Sequence, residues 1–220
     1  AIQFLAPDPY WYEVGESATE LDTNDSGTFR YIAGRLRSTG QWSVLGPPSA
    51  GGTYTGVYAL AEDPTYLYIG GDFLNWDGTA ASDYIVRYNK QTGVYSAMGT
   101  GMNGYVDTLA VAPNGDVIAA GFFTLAGGVA NTVRIARWDG SAWNALSTGM
   151  NGTVITAVKY GLDGTLFATG DFTTAGGGAA ARIASWDGAT WAALGTGLNS
   201  FGSALAIMPD GDVIVAGDFT

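Results

Sequence analysis

Carboxylates recur at one place in this chain. Gly71-Asp72-Phe73, Gly170-Asp171-Phe172 and Gly217-Asp218-Phe219 repeat one tripeptide, and Gly121-Phe122-Phe123 repeats it with the acid replaced. Equivalent acids can converge as ligands around an axis. Alternatively, each can accept backbone hydrogen bonds at a strand end and pair with an arginine of the next strand, such as Arg87, Arg134 or Arg182. The phenylalanine at 122 fits poorly with a required acid. Paired carboxylates can serve as glycosidase acid and base without histidine, yet no pair stands outside the repeat positions. No catalytic residue is assigned, and the chain reads as non-enzymatic.

Metal chemistry is equally thin. Asp22-Thr23-Asn24-Asp25-Ser26-Gly27 places alternate oxygen ligands ahead of a glycine, as a calcium loop does, but its twelfth position is Ala33 where a bidentate glutamate belongs. The Asp-Gly pairs at 139–140, 163–164, 187–188 and 210–211 read as turn chemistry. The chain has no histidine and no cysteine. That removes the commonest general base and zinc ligand, every thiolate site and every disulfide. No metal and no cofactor is expected.

Binding chemistry has better candidates. Trp76 lies in Leu74-Asn75-Trp76-Asp77-Gly78, where other copies of the segment carry Thr-Leu-Ala-Gly-Gly or Thr-Thr-Ala-Gly-Gly. An aromatic flanked by an amide and an acid can stack on a sugar or a partner. It can equally cap the neighbouring structural unit.

The elements that must position these residues follow from a period. The tripeptide copies start 50, 49 and 47 residues apart; Tyr95, Trp143 and Trp191 are 48 apart; Gly101-Met102-Asn103, Gly149-Met150-Asn151 and Gly197-Leu198-Asn199 keep the same interval. A period near fifty marks a repeat architecture. In one copy, Val106–Ala112 is an apolar strand ending at Pro113-Asn114-Gly115, a strong hairpin signal. The chain returns through Asp116–Phe123, crosses a glycine-rich connection, and runs through Val133–Trp138. After Asp139-Gly140, a fourth strand covers Trp143–Ser147. The expected fold is an all-β propeller of four-stranded antiparallel blades repeating about every 48 residues. The second strands are apolar throughout, which suits strands covered on both faces.

This topology sorts the loops. The Asn-Gly and Asp-Gly turns join strands one to two and three to four, so they project from one side. The longer connections project from the other, and that face carries Asn75, Trp76, Asp77, Asn103, Tyr105, Asn151, Asn199 and Phe201. These residues form the expected binding face, suited to carbohydrate contact.

Tyr31–Gly46 aligns without gaps on Tyr84–Gly99 and reads as the third and fourth strands of a blade. The expected blades are 57–104, 106–152 and 154–200, with half blades at 29–46 and 202–220 behind an N-terminal segment, 1–28. Two closures are compatible with this. Either 31–46 completes a blade with the strands at 204–219, or further repeats follow and the chain is a fragment. Leu5-Ala6-Pro7-Asp8-Pro9 echoes Leu60-Ala61-Glu62-Asp63-Pro64, as though 1–46 were itself a degenerate blade.

Composition sets the outer limits. Across 220 residues, 47% are hydrophobic and 13% charged, enough apolar surface for a core and too little charge for disorder. A net charge of −11 opposes binding to nucleic acid or anionic lipid. No apolar run approaches the roughly 18 residues of a membrane span.

The repeats resemble Gly-rich propeller repeats of large bacterial surface proteins and phage tail proteins. Ile2–Glu13, with its apolar run into Asp8-Pro9-Tyr10-Trp11-Tyr12, resembles a stretch of the distal tail protein family of long-tailed phages. The resemblance implies a virion component at a phage tail tip whose propeller faces outward. Its partners would be other tail proteins or a host-surface glycan or protein, with a homo-oligomer compatible. The alternative is a secreted bacterial surface propeller that binds glycans or proteins.

Overall fold

The structure is a computed structural model that describes residues 10–14, 32–36, 42–45, 52–153 and 155–220. It is built almost wholly of short antiparallel strands; the one helical element among the described residues is a 3-10 turn, Ala80–Ser82. The calcium-like segment at Asp22–Gly27 lies outside the described residues.

Strands β1 (Tyr10–Val14), β2 (Ile32–Leu36) and β3 (Trp42–Val44) form a three-stranded sheet in that order. The first full blade is β4 (Thr53–Glu62), β5 (Tyr66–Leu74), β6 (Ile85–Asn89) and β7 (Tyr95–Ser96). The second is β8 (Val106–Val111), β9 (Val117–Gly121), β10 (Ile135–Trp138) and β11 (Trp143–Ala145). In the third, β12 (Ile155–Tyr160), β13 (Leu166–Gly170), β16 (Ile183–Trp186) and β17 (Trp191–Ala193) form the blade. Its glycine-rich connection, read as a plain loop, contains a small hairpin of β14 (Thr174–Ala175) and β15 (Gly178–Ala179). A two-stranded ribbon, β18 (Gly202–Ile207) and β19 (Val213–Gly217), follows.

The expected third and fourth strands within 31–46 are therefore β2 and β3. Their second-strand partner is β1, so Tyr10–Val14 is part of the repeat architecture. Among the described residues β19 pairs with β18 alone, and the pairing of 31–46 with the strands at 204–219 does not occur here.

The core lies between blades, because each strand offers alternate side chains to the two neighbours. Along β9, Val117 and Ala119 pack toward the first blade, while Ile118 and Ala120 pack toward the third. All five residues of β9 are buried, as an apolar strand covered on both faces must be. The same alternation fails in β19, where Ile214 is 50% exposed against 0% for its counterpart Ile118. The ribbon packs on the third blade through one face and has no described neighbour on the other.

Candidate functional site

The first strands of the blades, β4, β8, β12 and β18, pack side by side and line one cavity of about 730 Å³. Each carries a β-bulge at an equivalent place, where the extra residue is Tyr58, Asp107, Thr156 or Ser203; β4 has a second register shift at Thr55. Bulges re-aim side chains beside functional sites. Here they deliver one residue from each of the three blades and one from the β18–β19 ribbon to the lining of the same cavity. The glycine opening each Gly-Asp-Phe copy serves this arrangement. A Cβ at Gly71, Gly121 or Gly217 would collide with the carbonyl oxygens of Gly56, Tyr105 and Phe201 just ahead of the bulges.

Asp107 is the charged member of the ring. Its Oδ2 is buried with no hydrogen-bond partner, and desolvation pushes its carboxyl up to about 6. Beside it, Tyr105 stacks on Phe122 with ring centroids 5.1 Å apart, and Tyr58 meets Tyr105 edge-on at 6.1 Å and 87°. Tyr58 and Phe122 are about two-fifths exposed, at 40% and 41%. This aromatic group opens to solvent at the axial mouth.

Of the acids of the repeated tripeptide, Asp171 shows a structural part. Asp171 lies 3.9 Å from Arg182, the arginine–acid pairing expected at a strand end. Where Phe122 replaces the acid, the equivalent Arg134 lies over the phenyl ring at 4.5 Å and donates to the carbonyls of Gly152 and Phe122. An ion pair in one blade thus becomes a cation–π contact in another, leaving an aromatic ring at the surface. The Asp-Gly acids are turn residues: Asp139, Asp163 and Asp187 each accept backbone N–H groups two or three residues on, which holds all three carboxyls below the usual range.

The expected binding face is divided by the structure. Trp76 is 1% exposed, packed 4.7 Å from Phe73 and 5.9 Å from Tyr95 in the core shared with β2, so it offers no stacking surface. This corrects the platform reading in favour of the cap. Asn75 donates its backbone N–H to Asp83, and Asp77 accepts from Thr79. The three repeated asparagines are staples rather than free amides. Asn103 accepts from the N–H groups of Thr124 and Leu125 and donates to the Thr124 hydroxyl; Asn151 does the same with Thr173 and Thr174, and Asn199 with Thr220. These bonds confirm that both classes of long connection share one face, while occupying the amides expected to bind. Of the residues expected on that face, Tyr105 joins the aromatic group and Phe201 is 38% exposed. Tyr58, Asp107 and Phe122 lie outside the expected binding set. The available signal was Phe122 itself, an aromatic where three other copies carry aspartate.

Blades of four antiparallel strands, with first strands gathered at an axis, define a β-propeller. Residues 45–206 match the family described as the Rax2 C-terminal beta propeller domain, and the chain belongs to that family. No curated protein matches it in sequence. Among solved structures, the chain is similar to the computationally designed Ika8 protein, at 18% identity and a TM-score of 0.57, covering 96% of this chain and 56% of that one. It is also similar to the extracellular domain of a one-component system from B. thetaiotaomicron, at 8% identity and a TM-score of 0.56, covering 88% of this chain. The similarity spans 24% of that longer chain. These likenesses concern the fold. No helix among the described residues is long and apolar enough to cross a membrane.

Proposed function

We propose that this chain is a non-enzymatic structural and receptor-binding component of a phage tail tip, in which the propeller presents its axial mouth to host-surface material. The tail assignment rests on the resemblance of the Ile2–Glu13 sequence to the distal tail protein family; residues 2–9 lie outside the described residues, and Tyr10–Val14 pairs with β2. The binding role is carried by one observation: the solvent-open group of Tyr58, Tyr105 and Phe122 beside a cavity lined by the first strands of three blades and by the β18–β19 ribbon. A rigid scaffold that holds aromatic side chains at a concave mouth is suited to ligand contact. The turn acids Asp139, Asp163 and Asp187 are engaged by backbone N–H groups and Asp171 by Arg182, which supports binding over catalysis.

A second reading, an extracellular bacterial surface propeller, is favoured by the resemblance of the repeats to such proteins. The B. thetaiotaomicron neighbour is itself an extracellular domain. Mass spectrometry of purified virions against the secreted fraction separates the two locations.

The binding role is tested by Phe122→Asp, which restores the residue that other blades carry. The fold accommodates that residue beside an arginine, so the melting temperature is expected to stay within a few degrees. Attachment of the labelled protein to host surface material should fall, and Tyr105→Ala should lower it similarly. Undiminished attachment by both variants refutes the assignment of this face.

A further inference from the structure

The axial mouth carries a charge with no counterpart. Asp107 Oδ2 is buried and unpartnered within a cavity lining that also includes Tyr58, Thr156 and Ser203. A buried carboxylate oxygen without a donor is costly, and the fold does not require an acid here, since the equivalent bulge positions hold tyrosine, threonine and serine. Arg134, which neighbours Tyr105 and Phe122, is committed to backbone carbonyls and the Phe122 ring, and Lys159, which lines the same cavity, stands three residues along β12 from the bulge residue Thr156. Neither donates to Asp107 Oδ2, and what that oxygen lacks is a donor.

We propose that this ring is a receptor for the ammonium group of an amino sugar. The inference rests on the binding reading above and names its ligand class. An ammonium offers several N–H donors and a full charge to Asp107, forming the stronger, charge-assisted kind of hydrogen bond. The perpendicular rings of Tyr58 and Tyr105 supply the aromatic faces that attract a desolvated cation. Ser203, which is exposed, and the Thr156 hydroxyl, whose one proton lies within reach of the carbonyls of Thr169 and Gly202, supply oxygens of the kind that meet sugar hydroxyls. The net charge of −11 draws cations toward the protein as a whole. Neutral sugars would leave the carboxylate facing a hydroxyl, and an N-acetyl sugar would leave it facing an amide with no charge.

The test is calorimetric titration of the full chain with glucosamine, N-acetylglucosamine and glucose at pH 7. Glucosamine is expected to bind at least about tenfold more tightly than either neutral sugar, a difference of about 1.4 kcal/mol. Asp107→Asn should abolish that preference while remaining folded, as judged by an unchanged or raised melting temperature. Tyr58→Ala should weaken glucosamine more than it weakens the neutral sugars. At pH 5 the preference should shrink as Asp107 takes a proton; Tyr105, Asp72 and Arg134 are titratable groups coupled to this mouth, and Tyr58, Glu62, Lys159 and Tyr160 line the cavity it opens from. Equal affinity for the three sugars, or full preference retained in Asp107→Asn, overturns the inference. Should attachment to host material still depend on Phe122 in that case, the binding function stands with a different ligand. If attachment is independent of Phe122 while glucosamine binds through Asp107, the reverse holds.

Discussion

The indole N–H of Trp143 donates to the carbonyl oxygen of Met98 at 2.8 Å, across the boundary between the first and second blades. Trp191 repeats this bond to Leu146 at 3.1 Å one boundary further on. Tyr95 makes it with its hydroxyl, to Leu45 at 2.6 Å, one boundary earlier. The 48-residue interval of these aromatics is thus the interval of a latch, with each outer strand fastened to the preceding sheet. Trp143→Phe keeps most of the buried ring and removes the donor, stranding the Met98 carbonyl. It should cost about 1–3 kcal/mol, read as a lower urea midpoint at constant slope, whereas Trp143→Ala should cost about 3–5 kcal/mol.

Trp76 divides a packing role from a binding role. Because it fills the core between Phe73, Tyr95 and the sheet of β2, Trp76→Ala should destabilise by about 3–5 kcal/mol. At a temperature where the variant is still folded, attachment to host material should match the wild type. A variant of unchanged stability and lost attachment would return Trp76 to the binding face.

Asn151 spans two connections with three hydrogen bonds. Removing it leaves the amides of Thr173 and Thr174 without their acceptor. Asn151→Ala should speed hydrogen exchange at those two amides and at the Thr174–Ala179 hairpin, with a global cost of about 1–3 kcal/mol. Exchange unchanged there would show that the staple contributes nothing.

Asp107 makes stability depend on pH in a defined direction. Burial raises its carboxyl to about 6, so the folded chain holds this proton more tightly than the unfolded chain does. Its contribution therefore declines as pH rises from about 4 through 6 and is fully unfavourable above that. Asp107→Asn should be more stable than the wild type at pH 8 by about 1 kcal/mol, allowing for its partial exposure. That is a rise of roughly 2–4 °C in melting temperature for a chain of this size. The two proteins should converge below pH 4; a gain that is independent of pH would place the carboxylate in solvent.

Much of the architecture was legible in the residues. The recurrence of Gly-Asp-Phe and of the aromatics at 95, 143 and 191 reports the blade interval directly. Asn114-Gly115 and Asp139-Gly140 mark hairpins because only a few residue types tolerate the backbone angles of a tight turn. Local chemistry of this kind needs no knowledge of neighbours. The division of loops between two faces also followed from topology alone, and the asparagine staples agree with it.

The site was not legible in the same way. Trp76 and Phe122 both depart from the repeat pattern in segments near the end of a second strand. One is buried and the other exposed, because Trp76 meets the core beneath β2 while Phe122 lies under Arg134 beside the open mouth. Nothing in the local sequence distinguishes those neighbours. Asp107, Tyr58, Thr156 and Ser203 share no residue type, so no motif connects them. They meet because each inner strand accommodates one extra residue against a glycine of its partner, and because the blades set those four bulges around one cavity. The chain by itself determined the repeat, the strands and the turns, since these depend on backbone preferences and on apolar alternation within a few residues. Only the tertiary structure decided which aromatic faces solvent and which acid is left without a donor, since both depend on contacts between different strands and between neighbouring blades.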